Sequence, residues 1–185
     1  MKKNATKNFY VFTGFDGTLN SSDYLKVNFC NKRARPDSIE ALNFLLRTLR
    51  EHGYNPKLVC TSSLRISYDL MCYYLYESGL DKQEHIGVTK WVEGPRGKKI
   101  LDYLRTHESK FVEAKNKVEV KMAHMLGVQP FGNYVVIDCN EALIAPYIPE
   151  DKCIPINKTV EYLTMEKVQA FLAKQGMSEE QSENV

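Results

Sequence analysis

Four short polar stretches in this 185-residue chain carry residue types that can do chemistry: Gly14-Phe15-Asp16-Gly17-Thr18, Thr61-Ser62-Ser63, the Arg96, Lys98 and Lys99 cluster, and Asp138. Three of them directly follow apolar runs: Phe9-Tyr10-Val11-Phe12, Leu58-Val59-Cys60 and Val135-Val136-Ile137. Hydroxyls that can hold an anion, a cation at a helix start, and carboxylates able to hold a metal are the parts that phosphoryl transfer requires.

The elements that must position these residues are legible from periodicity. Phe9 to Phe12 reads as a buried strand entering a tight turn at Gly14 and Gly17. After an irregular stretch to Pro36, Asp37 reads as a helix cap with Glu40 three residues on. Ile39, Leu42, Leu45, Leu46 and Leu49 recur at helical spacing, and Gly53 closes that helix. A strand over 57–61 follows, then a helix from Ile66 to Glu77 stopped by Gly79, and a short strand at Ile86-Gly87-Val88. Gly94 to Gly97 reads as a loop, Lys98 to His107 as a helix, and 108–127 as another. Tyr134 to Ile137 is the cleanest central strand, Ile154-Pro155-Ile156 an edge strand that tolerates its proline, and Thr164 to Ala173 a closing helix. Strands alternating with helices predict an α/β fold with a central parallel sheet covered on both faces. In such sheets ligands bind beyond the carboxyl ends of the strands, where all four polar stretches fall.

In order and character these stretches resemble the four motifs of the haloacid dehalogenase (HAD) superfamily, a family dominated by Mg2+-dependent phosphatases. The resemblance spans residues 9–172 and is closest to small domains of RNA-repair-associated and effector-type phosphatases. It implies a Rossmann-like three-layer sandwich without a large cap domain. The family's first motif is Asp-x-Asp-Gly-Thr-Leu; here it reads Gly14-Phe15-Asp16-Gly17-Thr18-Leu19, so one carboxylate is present where the motif has two. By resemblance Gly14, Asp16 and Thr18 are the catalytic positions, with Gly14 in the nucleophile's place and Asp16 as general acid and base. Thr61, Ser62, Arg96 and Lys98 are the implied phosphate binders. The implied cofactor is Mg2+, held at Asp16, through its backbone carbonyl, and at Asp138, with Asn140 or Glu141 assisting because Cys139 stands where a second carboxylate is common. Glycine offers neither an attacking oxygen nor a metal ligand, so the chain as written is expected to be nearly inactive. It is either an inactive variant of an enzyme or a natural pseudophosphatase, and the retained Asp16, Thr18, Ser62, Lys98 and Asp138 favour the first.

Composition bounds the remaining possibilities. Hydrophobic residues make up 43% and charged residues 26%, which suits one globular domain with a sizeable core. A formal charge of +2 without a dense basic block argues against nucleic acid and anionic membranes. Five cysteines, an odd number without a C-x-x-C pair, read as reduced thiols in a cytoplasmic-type compartment. No apolar run is long enough to span a membrane. The phosphatase-like domain is expected over 1–174, with a polar tail or linker over 175–185. His52, His85, His107 and His124 read as structural or exposed, and Tyr68, Tyr73, Tyr74 and Tyr76 as core packing with wet hydroxyls.

The stretches from Gly14 to Thr61 and from Thr61 to Lys98 are each spent on one helix and one strand, which leaves no room for a full cap. An uncapped site suits a phosphate on a large partner. The expected substrate is therefore a phosphoprotein, with phosphotyrosine as the leading candidate and a nucleic-acid end as the weaker one. The competing class is a module that holds a phosphorylated partner without turnover.

Overall fold

A computed structural model describes residues 7–21, 24, 34–62, 67–90, 94–108, 132–138, 141–157 and 161–177. Five strands alternate with helices: β1 (Lys7–Thr13), α1 (Pro36–Glu51), β2 (Tyr54–Cys60), α2 (Tyr68–Glu77), β3 (Ile86–Val88), α3 (Arg96–His107), β4 (Tyr134–Asp138), the short α4 (Glu141–Ile144), β5 (Cys153–Pro155) and α5 (Met165–Lys174). The strands form one sheet in the order β3-β2-β1-β4-β5, and every pairing is parallel. The architecture is an α/β, Rossmann-like three-layer sandwich, as the strand and helix alternation predicts.

Side chains alternate across the sheet and divide the core in two. Phe9, Val11, Leu58, Val135 and Ile137 meet the apolar stripes of α1, α2 and α5 on one face. Tyr10, Phe12, Val59 and Val136 meet Ile100, Leu101 and Leu104 of α3 on the other, with Ile144 and Ile148 beside them. Leu42, Leu45, Leu46 and Leu49 are all fully buried, so the helical spacing read for α1 is its core stripe.

Several boundaries differ from the sequence reading, for local reasons. Pro36 occupies the first turn of α1 and Arg35 the cap position, without a side-chain cap; Asp37 instead accepts the Ser38 N–H and pairs with Arg35. Proline at a helix start is preorganised in φ, and it sets the start two residues earlier. β2 begins at Tyr54 and runs through Pro56, because β3 pairs only with Leu58 to Cys60 and leaves that side of Pro56 without a ladder. Ser67 precedes α2, so Thr61-Ser62 does not cap that helix. Arg96 and Gly97 belong to α3, not to the loop before it. Thr164 caps α5 by accepting the Lys167 N–H at 3.4 Å. Gly53 and Gly79 lie at positive φ just past α1 and α2, as their stop role predicts. Glu108, where the helix expected over 108–127 would begin, is extended; residues 109–127, Ser63, Cys139 and Asn140 lie outside the described residues.

Three of the four tyrosines of α2 depart from the core-packing expectation, while Tyr74 packs half-buried against the core as expected. Tyr68, Tyr73 and Tyr76 are exposed, while Met71 and Leu75 make the buried contact. Among the described residues no helix is long and apolar enough to cross a membrane.

Candidate functional site

The tips of β1, β2 and β4 are drawn together by backbone hydrogen bonds that continue the sheet past its strands. The Gly14 N–H donates to Ile137 O at 3.1 Å, and the Thr61 N–H donates to Thr13 O at 2.9 Å. One strand over, the Thr89 N–H donates to Cys60 O at 3.1 Å, and the Ile156 N–H to Asp138 O at 3.0 Å. Parallel strands of similar reach thus end side by side, which gathers Gly14, Thr61, Thr89 and Asp138 along one rim.

Residues 15–19 then form a single helical turn, with the Leu19 N–H on Phe15 O at 3.0 Å. Gly17 sits at φ 77°, a conformation that costs a side-chain-bearing residue energy. Asn20 closes the turn: its Oδ1 accepts the Gly17 N–H at 2.8 Å, and its Nδ2 reaches Asp16 Oδ1 at 3.5 Å. Phe15 and Leu19 are buried beneath it. From outside, the Leu163 N–H donates to Thr18 O, the Arg35 N–H to Leu19 O, and the Ser38 hydroxyl to Leu163 O. Arg35 lies over the Tyr162 ring at 3.7 Å, and the arginine beside Asp37 holds that carboxyl below its ordinary range.

Gly14 sits within this frame. A Cβ built on it would lie 3.8 Å from Asp138 Oδ2 and 2.6 Å from Thr18 Oγ1. A side chain at 14 would therefore start against the Thr18 hydroxyl, with the Asp138 carboxylate within 4 Å. Thr18 is fully buried, and its hydroxyl has no hydrogen-bond partner among the described residues.

Asp138 is almost wholly buried, its side chain 3% exposed, and Arg96 compensates it. Arg96 Nη1 donates to both Oδ1 and Oδ2 at 2.6 Å. Arg96 reaches across because α3 starts there and packs tightly on the α4 side. A Cβ on Gly97 would lie 2.7 Å from Tyr147 Cβ, so only glycine allows this approach. Of the two cations assigned to phosphate, Arg96 is the one brought to Asp138, whereas Lys98 is exposed in the first turn of α3. Thr61 and Ser62 are buried at the tip of β2, and Asp16 is exposed on the turn. Glu141 starts α4, and its side chain lies outside the described ones.

Two contributors were missed by sequence reasoning. Asn20 is one, although an Asn directly after the Gly-Thr-Leu turn is a local signal for side-chain closure. Thr89 is the other: it repeats at β3 the strand-then-hydroxyl pattern of Thr61, and its buried Oγ1 has no partner among the described residues. Beside Asp138, toward β5, a cavity of about 590 Å³ opens between apolar walls that include Val136, Ile148 and Ile156, with Lys167 and Glu161 at its polar side. That volume is within the usual range for a small-molecule-sized pocket.

Among the described side chains the donors available to Mg2+ are few, and Asn140 and the side chain of Glu141 lie outside them. This hard cation favours about six oxygens in octahedral array with one or two carboxylates among them. Here Gly14 contributes none, and both oxygens of Asp138 are engaged by Arg96. Among the described residues no group of three His, Cys, Asp or Glu side chains gathers to hold a metal ion.

Compared with protein-family models, with curated proteins and with solved structures, the chain matches none of them.

Proposed function

We propose that this chain carries a phosphomonoester-directed site of the haloacid dehalogenase type, a phosphatase architecture with glycine in the nucleophile's place. In this form it holds a phosphorylated macromolecule, a phosphoprotein in the first instance, and does not hydrolyse it. The observation that carries the reading is the position of Gly14. A Cβ there would lie 3.8 Å from Asp138 Oδ2, on a rim that carries Thr61 and Ser62 at the tip of β2, Thr89 after β3, and the Asp138–Arg96 pair at β4. A phosphoryl group needs such an array of hydroxyl donors and fixed positive charge.

An aspartate at 14 would supply the attacking oxygen of a covalent phosphatase, with Asp16 placed on the adjoining turn to protonate the leaving oxygen. The apolar walls of the cavity beside Asp138 suit an aromatic carrier such as a phosphotyrosyl ring better than a sugar. Two helices, α1 and α2, fill the described parts of the connections where a cap would be inserted, which fits a large partner approaching an open rim. The small net charge makes a nucleic-acid end the weaker substrate class.

The test is Gly14→Asp, assayed with p-nitrophenyl phosphate in Mg2+. Hydrolysis is expected to rise by on the order of a thousandfold or more over the unaltered chain. Because the new Cβ meets the Thr18 hydroxyl, Gly14→Asp with Thr18→Ser is assayed alongside, since serine turns its hydroxyl aside more readily. Folded variants that both stay silent would overturn the enzyme reading and leave the module that only binds. One observation favours that second reading: Asp138 is already neutralised by an arginine.

A further inference from the structure

We infer that, as the chain stands, the strand-tip site takes an oxyanion without any divalent cation, with Arg96 as its fixed positive charge and Asp138 as the anchor that holds Arg96 there. The inference rests on the reading above that these tips receive a phosphoryl group.

Three observations carry it. Asp138 is 3% exposed and gives both oxygens to one guanidinium nitrogen at 2.6 Å, while Arg96 keeps 27% of its side chain open to solvent. The pair is therefore anchored on its acidic side and accessible on its basic side. Arg96 also stands in the first turn of the twelve-residue α3, where the helix dipole adds positive potential. Finally, the buried Thr18 hydroxyl, without a partner among the described residues, is directed at the space over Gly14, within 4 Å of which lies Asp138 Oδ2. An oxyanion in that space would give the hydroxyl an acceptor and would stand beside the carboxylate oxygen that Arg96 neutralises.

A dication meets the opposite circumstances. It would have to take Asp138 from Arg96 and then stand beside an uncompensated guanidinium, with no second carboxylate at position 14. Asp138 thus acts here as a positioning residue for an arginine.

The experiment is calorimetric titration of the full chain with phenyl phosphate, once in EDTA and once in Mg2+. Equal affinity in the two buffers is expected. Asp138→Asn is expected to tighten binding by about tenfold, because it removes the nearest negative charge and keeps an oxygen for Arg96. Arg96→Gln is expected to abolish binding, and Arg96→Lys to retain part of it. Binding that requires Mg2+, or that Asp138→Asn abolishes in a folded protein, would overturn this inference while leaving the phosphate reading intact. No binding of phenyl phosphate in either buffer would overturn both.

Discussion

Thr18 shows how much one missing side chain changes its neighbours. A buried hydroxyl without an acceptor costs about 1–3 kcal/mol relative to a satisfied one, and an apolar isostere escapes that cost. Thr18→Val is therefore expected to raise stability by about 1 kcal/mol, read as a higher urea midpoint at unchanged slope. In the Gly14→Asp background the sign should reverse, since the hydroxyl would then have a carboxylate to donate to. A Thr18→Val loss of stability with Gly14 present would show that the hydroxyl is already satisfied. At this scale the sequence was only partly informative. Gly14, Asp16, Thr61, Ser62 and Asp138 could be placed at strand tips because each directly follows an apolar run. The choice between Arg96 and Lys98 could not be made, because it depends on a partner 42 residues away. Asn20 and Thr89 were passed over because each looks like ordinary turn or strand-end chemistry when read alone.

Among the elements, α3 is the one whose placement decides the site. Its first turn carries Arg96, and its second residue, Gly97, lets the helix approach Tyr147. Gly97→Ala inserts a methyl group 2.7 Å from Tyr147 Cβ, backbone-near and unable to swing away. The expected cost is about 1–3 kcal/mol, seen as a lower melting temperature, with part of it recovered when Tyr147→Ala is added. Unchanged stability of Gly97→Ala would mean that the contact is loose in solution. The same residue explains a boundary error: a glycine two residues after a proline reads as a loop, and only tertiary packing makes it helical. Asp37 was misread for a comparable reason, since its carboxylate is taken by Arg35 and Pro36 starts α1. The α2 tyrosines expose a different limit. The sequence located the helix but does not report that Met71 and Leu75 are its core-facing residues, or how far its aromatics reach into solvent.

Across the whole molecule, the end of the sheet opposite the site is fastened by a cluster around Glu108. Tyr10 and Asn8 both donate to its Oε1 at 2.9 Å, tying the start of β1 to the residue after α3. Burial first, and then the hydrogen bond to the Glu108 carboxylate, push the Tyr10 phenol well above its ordinary value near 10. A group whose folded pKa is raised contributes stability that is complete below its unfolded pKa and is lost as pH climbs toward the folded one. Stability should therefore fall from about pH 10 upward. Tyr10→Phe is expected to cost about 1 kcal/mol at neutral pH and to flatten that alkaline decline, leaving the parts due to Tyr103, Tyr68 and Cys72, whose pKa values burial also raises. Melting temperatures between pH 8 and 11 check this, and an equally steep decline in Tyr10→Phe would count against it. The overall fold was the most legible level of all. Strand-helix alternation needs only local patterns, and parallel pairing follows from it, whereas the site needs distances between strands. The amide of Gly14 is fastened to β4 through main-chain atoms alone, so the backbone bond at that position does not depend on which side chain it carries. Serine, cysteine, asparagine or glutamate seated there in turn would each have to displace the same Thr18 hydroxyl, so their differing reactivities can be compared over one common backbone anchor.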